Sequence, residues 1–159
     1  MSNVRRHKHH HQLFIMQLKP LLTFVFSVSA ALAASSQEIA RTSLPSNHPL
    51  IGTWRIELPQ MKCFEEYELR PDGTKLSMSG EERNESEFTI SLTPSSTGFY
   101  KWTDRITKNN GKPDCSGSNT ELGHVAVNYV RVHPSGQRFV LCEAEEMKSC
   151  YAEFQRKSK

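Results

Sequence analysis

The chain has 159 residues, 36% of them hydrophobic, with 20 Lys and Arg against 17 Asp and Glu and a formal charge of +3; that length admits one ordinary domain and hardly two. The basicity belongs to the N-terminal end, because without Arg5, Arg6, Lys8 and Lys19 the rest carries 16 basic and 17 acidic residues, a formal charge of −1. Such a balance offers no basic face to a nucleic acid, so none is expected as a partner.

Residues 21–33 (LLTFVFSVSAALA) are an apolar run of 13, preceded by Lys19 and closed by Ala31-Leu32-Ala33, the small-x-small pattern of a leader cleavage site. A membrane span needs about 20 residues. The run therefore predicts a secretory signal peptide over residues 1–33, an exported (periplasmic or extracellular) protein beginning at Ala34 or Ser35, and no stable membrane insertion. His7, His9, His10 and His11 leave with the leader and are given no metal role. Residues 34–49 (ASSQEIARTSLPSNHP) are polar and aperiodic with two prolines, which predicts a mobile arm ahead of a domain at 50–157.

From there the pattern has period two. In GTWRIEL (52–58), Trp54, Ile56 and Leu58 share a face; in KCFEEYELR (62–70), Cys63, Tyr67 and Leu69 do. Pro71, Asp72 and Gly73 signal a turn into TKLSMSG. SEFTISLT (86–93) sets Phe88, Ile90 and Leu92 together, and FYKWTDRIT aligns Tyr100, Trp102, Asp104 and Ile106. After the loop KNNGKPDCSGSN come LGHVAVNYVRVH, RFVLCEA and SCYAEFQR. Eight strands with short connections and no helical period predict an all-β, eight-stranded antiparallel up-and-down barrel, with a sandwich as the rival.

Gly52-Thr53-Trp54 opening the first strand resembles the G-x-W signature of the lipocalins, and LRPDGT (69–74) resembles a turn of lipocalin-like bacterial proteins. The resemblance covers residues 50–155 as topology. It implies that Trp54 closes the barrel floor with an Arg from the end of the last strand packed across it; Arg156 is placed for that part, with Arg70 and Arg138 as competitors.

With the first strand running upward, the loops at 59–61, 79–85, 108–120 and 143–149 fall at the top, and so do Cys63, Cys115, Cys142 and Cys150. An even cysteine count in an exported domain, with no C-x2-C pair for zinc, predicts two disulfides; Cys142–Cys150 and Cys63–Cys115 are preferred among three connectivities. The same loops hold Glu81, Glu82, Glu85, Glu143, Glu145 and Glu146, an acidic rim suited to steering a basic protein partner. Asn84-Glu85-Ser86 in one of them fits a glycosylation sequon.

His48, His124 and His133 fall in different places, and no catalytic motif is present, so no enzyme activity, cofactor or metal is expected. Asp104, on an apolar face, needs a partner or a proton. The function expected first is binding of a small, largely apolar ligand by a monomeric, lipocalin-like barrel, with Tyr67, Phe88, Ile90, Tyr100, Trp102, Asp104 and Val127 lining the cavity. The alternative is a periplasmic or secreted protein-binding module of the hydrolase-inhibitor type, acting through the stapled acidic rim.

Overall fold

Alternation along each strand sorts the side chains into an inner and an outer set, and a sheet of such strands can bury its inner set by closing on itself. The computed structural model describes residues 40–158; the leader and the first residues of the arm lie outside the described residues. Eight antiparallel strands, β1 (Gly52–Leu58), β2 (Cys63–Leu69), β3 (Thr74–Ser79), β4 (Glu82–Ile90), β5 (Tyr100–Asn109), β6 (Val125–Val132), β7 (Arg138–Cys142) and β8 (Cys150–Arg156), pair in sequence order and close β8 onto β1. The barrel is up-and-down, with single turns of 3-10 helix at Pro59–Met61 and Met147–Ser149. The disulfides are Cys63–Cys115 and Cys142–Cys150.

The floor is a filled aromatic core. Trp54 is fully buried, its indole 4.7 Å edge-on from Phe139, which stacks on Phe154 at 5.0 Å. Trp54 Nε1 donates to the Leu50 carbonyl at 2.8 Å, which supplies the partner a buried indole needs. Arg156 lies over the same ring at 4.0 Å and donates to the carbonyls of Gly136, Ile51 and Pro49 at 3.0, 2.8 and 2.5 Å. Gly52 explains the first letter of G-x-W. Its φ is +127°, and a Cβ there would lie 2.7 Å from Arg156 Nη1. Glycine leaves the space the guanidinium occupies.

The folded body begins near residue 42 rather than at 50. Thr42 N–H donates to Phe88 O and Leu44 N–H to Pro71 O, at 3.1 and 2.8 Å, and Leu44 and Leu50 are buried. The stretch expected as a free arm from 42 onward is the floor's underside, because two leucines in an otherwise polar segment find apolar cover there.

His48 is held in that underside, 6% exposed, its ring 5.2 Å from Tyr100 and its Nδ1 accepting the Leu50 N–H. Burial lowers its pKa from 6.5, partly offset by the Ser91 backbone. A histidine more easily protonated unfolded than folded contributes fully above pH 6.5 and less as pH falls toward the folded value. Urea midpoints should therefore drop between about pH 7.5 and 5.5 by more in the wild type than in His48→Gln. Equal drops in the two proteins would remove His48 from the acid response.

Strand stagger decides what the rims contain. Closing eight strands requires tilt, so neighbours climb around the barrel. Leu141, near the upper end of β7, pairs with Val130, which pairs with Tyr100 at the lower end of β5. The loop after β7 is thus level with the floor-side loop after β4: Ser95 and Thr97 hydroxyls both donate to Glu145 Oε2, at 2.9 and 2.7 Å. The four cysteines do not share one rim. Cys63–Cys115 ties the long loop to the mouth, while Cys142–Cys150 closes a lower hairpin.

β7 and β8 also leave the wall low on one side. Residues 125–128 of β6 pair with β5 but have no β7 partner, and residues 56–58 of β1 pair with β2 but have no β8 partner. Between them Tyr151, at a bulge in β8, donates its hydroxyl to Asn128 Oδ1 at 2.8 Å.

Candidate functional site

Inner residues of the upper strands fall short of filling the barrel. Above the aromatic floor lies a cavity of about 460 Å³, open beside Tyr151 and His124. Its walls are of two kinds. Ile56, Leu58, Ile106, Leu141 and Phe154 give apolar surface; Glu65, Lys75, Ser77, Glu82, Asn84 and Asp104 give polar surface. The division follows from the inner positions of β3 and β4. In β3 these are Lys75, Ser77 and Ser79, and in β4 they are Glu82, Asn84 and Ser86 before Phe88 and Ile90.

At the boundary between core and cavity, Lys75 Nζ and Asp104 Oδ2 form an ion pair, the two residues only 6% and 5% exposed. The ammonium also sits 4.9 Å from the Tyr67 ring and 5.1 Å from the Trp102 ring, as a cation over aromatic faces. Tyr67 donates its hydroxyl to Glu65 Oε2 at 3.1 Å; burial, and then the Glu65 charge, raise its pKa well above 10.0, so it remains a donor. Glu65 Oε1 accepts from Ser79 at 3.0 Å. Glu82 is a latch for the long loop, accepting from Asn109 Nδ2 at 3.0 Å and from the Thr120 N–H at 2.5 Å.

Of the expected lining residues, Tyr67, Trp102 and Asp104 meet at the cavity. Phe88 and Ile90 face inward lower down, in the filled core. Tyr100 lies against His48 at the floor, half-buried. Val127 is corrected: it is 48% exposed on the outer face of β6, where Ala126 and Asn128 are the inner positions. Its run HVAVNYV alternates valines with small or polar residues, and the open wall admits the latter inside.

The acidic rim is corrected as well, because its carboxylates are not gathered. β4 begins at Glu82, leaving only Gly80 and Glu81 as the turn. Glu81 stays exposed there, Glu82 points inward at 4% exposure, and Glu85 lies outside, paired with Lys108 at 2.8 Å. Glu143, Glu145 and Glu146 belong to the lowered hairpin, Glu146 pairing with Lys148 at 3.2 Å. The sequon asparagine is inside the barrel: Asn84 is 7% exposed, so its side chain is turned away from solvent.

Lys75, Glu65 and Asn84 were missed as lining residues. For Lys75 a signal existed, since Asp104 on an apolar face calls for an inward cation, and Lys75 sits at an inner position two strands away. No helix among the described residues is long and apolar enough to cross a membrane. No protein-family model matches the chain, and no curated protein and no solved structure is significantly similar to it.

Proposed function

We infer that the protein is an exported, lipocalin-like carrier, a binder rather than a catalyst, holding one small amphipathic molecule in the upper half of the barrel. The observation that carries this reading is the cavity of about 460 Å³ above a floor that is already filled. That volume suits a small ligand, and lipophilic contacts with a few polar groups are the usual composition of such sites. The Arg156 guanidinium across Trp54, with Gly52 making room for it, supports the lipocalin-like part of the reading. Two disulfides support export. A purely apolar ligand would leave Glu65, Lys75 and Asp104 facing it without water, so the ligand carries polar groups of its own.

Titration with N-phenyl-1-naphthylamine, a neutral fluorophore whose two aromatic bodies are joined by one polar N–H, should give saturable one-site binding with a blue-shifted emission. Ala126→Trp, which puts an indole into the cavity mouth, should weaken it on the order of tenfold or more, the loss of about 1.4 kcal/mol. A flat titration of the wild type would overturn the carrier reading.

A further inference from the structure

Native interiors pair nearly all their buried polar groups. Five such atoms have no hydrogen-bond partner among the described residues; His48 Nε2 lies under the floor and Arg105 Nε on the outer face of β5, while Asn84 Oδ1, Ser86 Oγ and Trp102 Nε1 belong to inner positions of β4 and β5. The last three residues are 7%, 1% and 1% exposed. Asn84 and Trp102 line the cavity, and Ser86 is the next inner position of β4 after Asn84. The other polar groups nearby are engaged. Glu82 is held by Asn109 and Thr120, Glu65 by Tyr67 and Ser79, and Asp104 by Lys75.

We propose that Asn84, with Trp102, is the subsite for a neutral carboxamide-type head group, a ligand bearing an amide, lactam or ureido function. The proposal rests on the carrier reading and names the chemistry of its ligand. A primary amide side chain is at once an acceptor through Oδ1 and a donor through Nδ2, so its closest complement is another amide. Both unpaired atoms are turned into the wall of the free protein; rotation of the Asn84 amide presents Oδ1 to the ligand N–H and Nδ2 to the ligand carbonyl, and the Trp102 indole, which can only donate, is the second donor for that carbonyl. Charge argues for a neutral head. Lys75 is already matched by Asp104, which leaves Glu65 and Glu82 as the uncompensated charges of the cavity, and they repel an anion. A cation would find those carboxylates already occupied by internal donors.

The test compares octanamide, octanoate and octylamine, which share one alkyl body and differ in head group, by calorimetric titration of the full exported protein. Octanamide should bind on the order of tenfold tighter than the other two, the size expected when a site built to hydrogen-bond meets a head it cannot satisfy. Asn84→Leu should erase that preference and tighten N-phenyl-1-naphthylamine. It should also raise the melting temperature of the free protein, because it replaces an unpaired buried amide by an apolar group. A structural asparagine would do the reverse, so a lowered melting temperature overturns the proposal. So does an octanamide preference that survives Asn84→Leu, or octylamine binding tightest. If the three heads bind alike while N-phenyl-1-naphthylamine still titrates, water serves these atoms and only the head-group assignment fails. If N-phenyl-1-naphthylamine does not bind the wild type, the carrier reading itself has failed.

Discussion

Trp54→Ala should cost about 3–5 kcal/mol in urea denaturation, the range for truncating a fully buried large aromatic in a core. Three losses coincide at that position. The indole leaves Phe139 without its edge contact, Leu50 O without its donor and Arg156 without the ring it lies on. Arg156 is more than a cation over an indole, since it ties the carbonyls of Pro49, Ile51 and Gly136 and so joins the segment leading into β1 to the β6–β7 turn. Arg156→Lys should therefore lose about 1.5–3 kcal/mol, the scale of hydrogen bonds from a charged group, because an ammonium cannot reproduce the planar fork. Wild-type stability in either variant would mean that the floor is not what closes this barrel.

The floor was legible because its signal is local. Gly52, Trp54 and the alternation after them are contiguous, and the turn signals at 71–73 fix strand order by chain sequence alone. Pairing of successive strands then follows, and so does the closed barrel. What failed was the level of one loop, the one after β7. Residues 143–149 were placed at the mouth by counting up and down, but the count ignores stagger, and Glu145 bonds Ser95 and Thr97 on the floor side. Strand ends were the other weak point. SEFTISLT alternates to its last residue, yet β4 stops at Ile90 and Leu92 is 61% exposed. The strand starts earlier instead, at a turn of two residues with Gly80 in the left-handed region at φ +55°. That shift carried Glu82 and Asn84 from an expected loop to the interior. In β3 the inner residues are the polar ones, while Leu76 and Met78 face outward, the reverse of what hydrophobicity alone dictates. A site lined by polar residues is where such an inversion is expected, because local patterning serves the fold and the site departs from it.

The Lys75–Asp104 pair is where that departure should be most visible in stability. Both residues are buried, and the Lys75 ammonium lies over the Tyr67 and Trp102 rings. Removing one partner leaves the other charge without compensation, at a cost of about 3–5 kcal/mol for a buried pair; the cavity beside it places both single variants near the lower value. The double variant Lys75→Met with Asp104→Leu has no charge to strand. Replacement of a buried ion pair by apolar groups of similar volume is neutral or stabilising by about 1–4 kcal/mol, so the double should be at least as stable as the wild type at pH near 7. Urea denaturation of the four proteins at pH near 7 measures the coupling directly. A double variant as unstable as the singles would show that the pair itself holds the barrel together. A restored double variant would show that the fold does not need the pair.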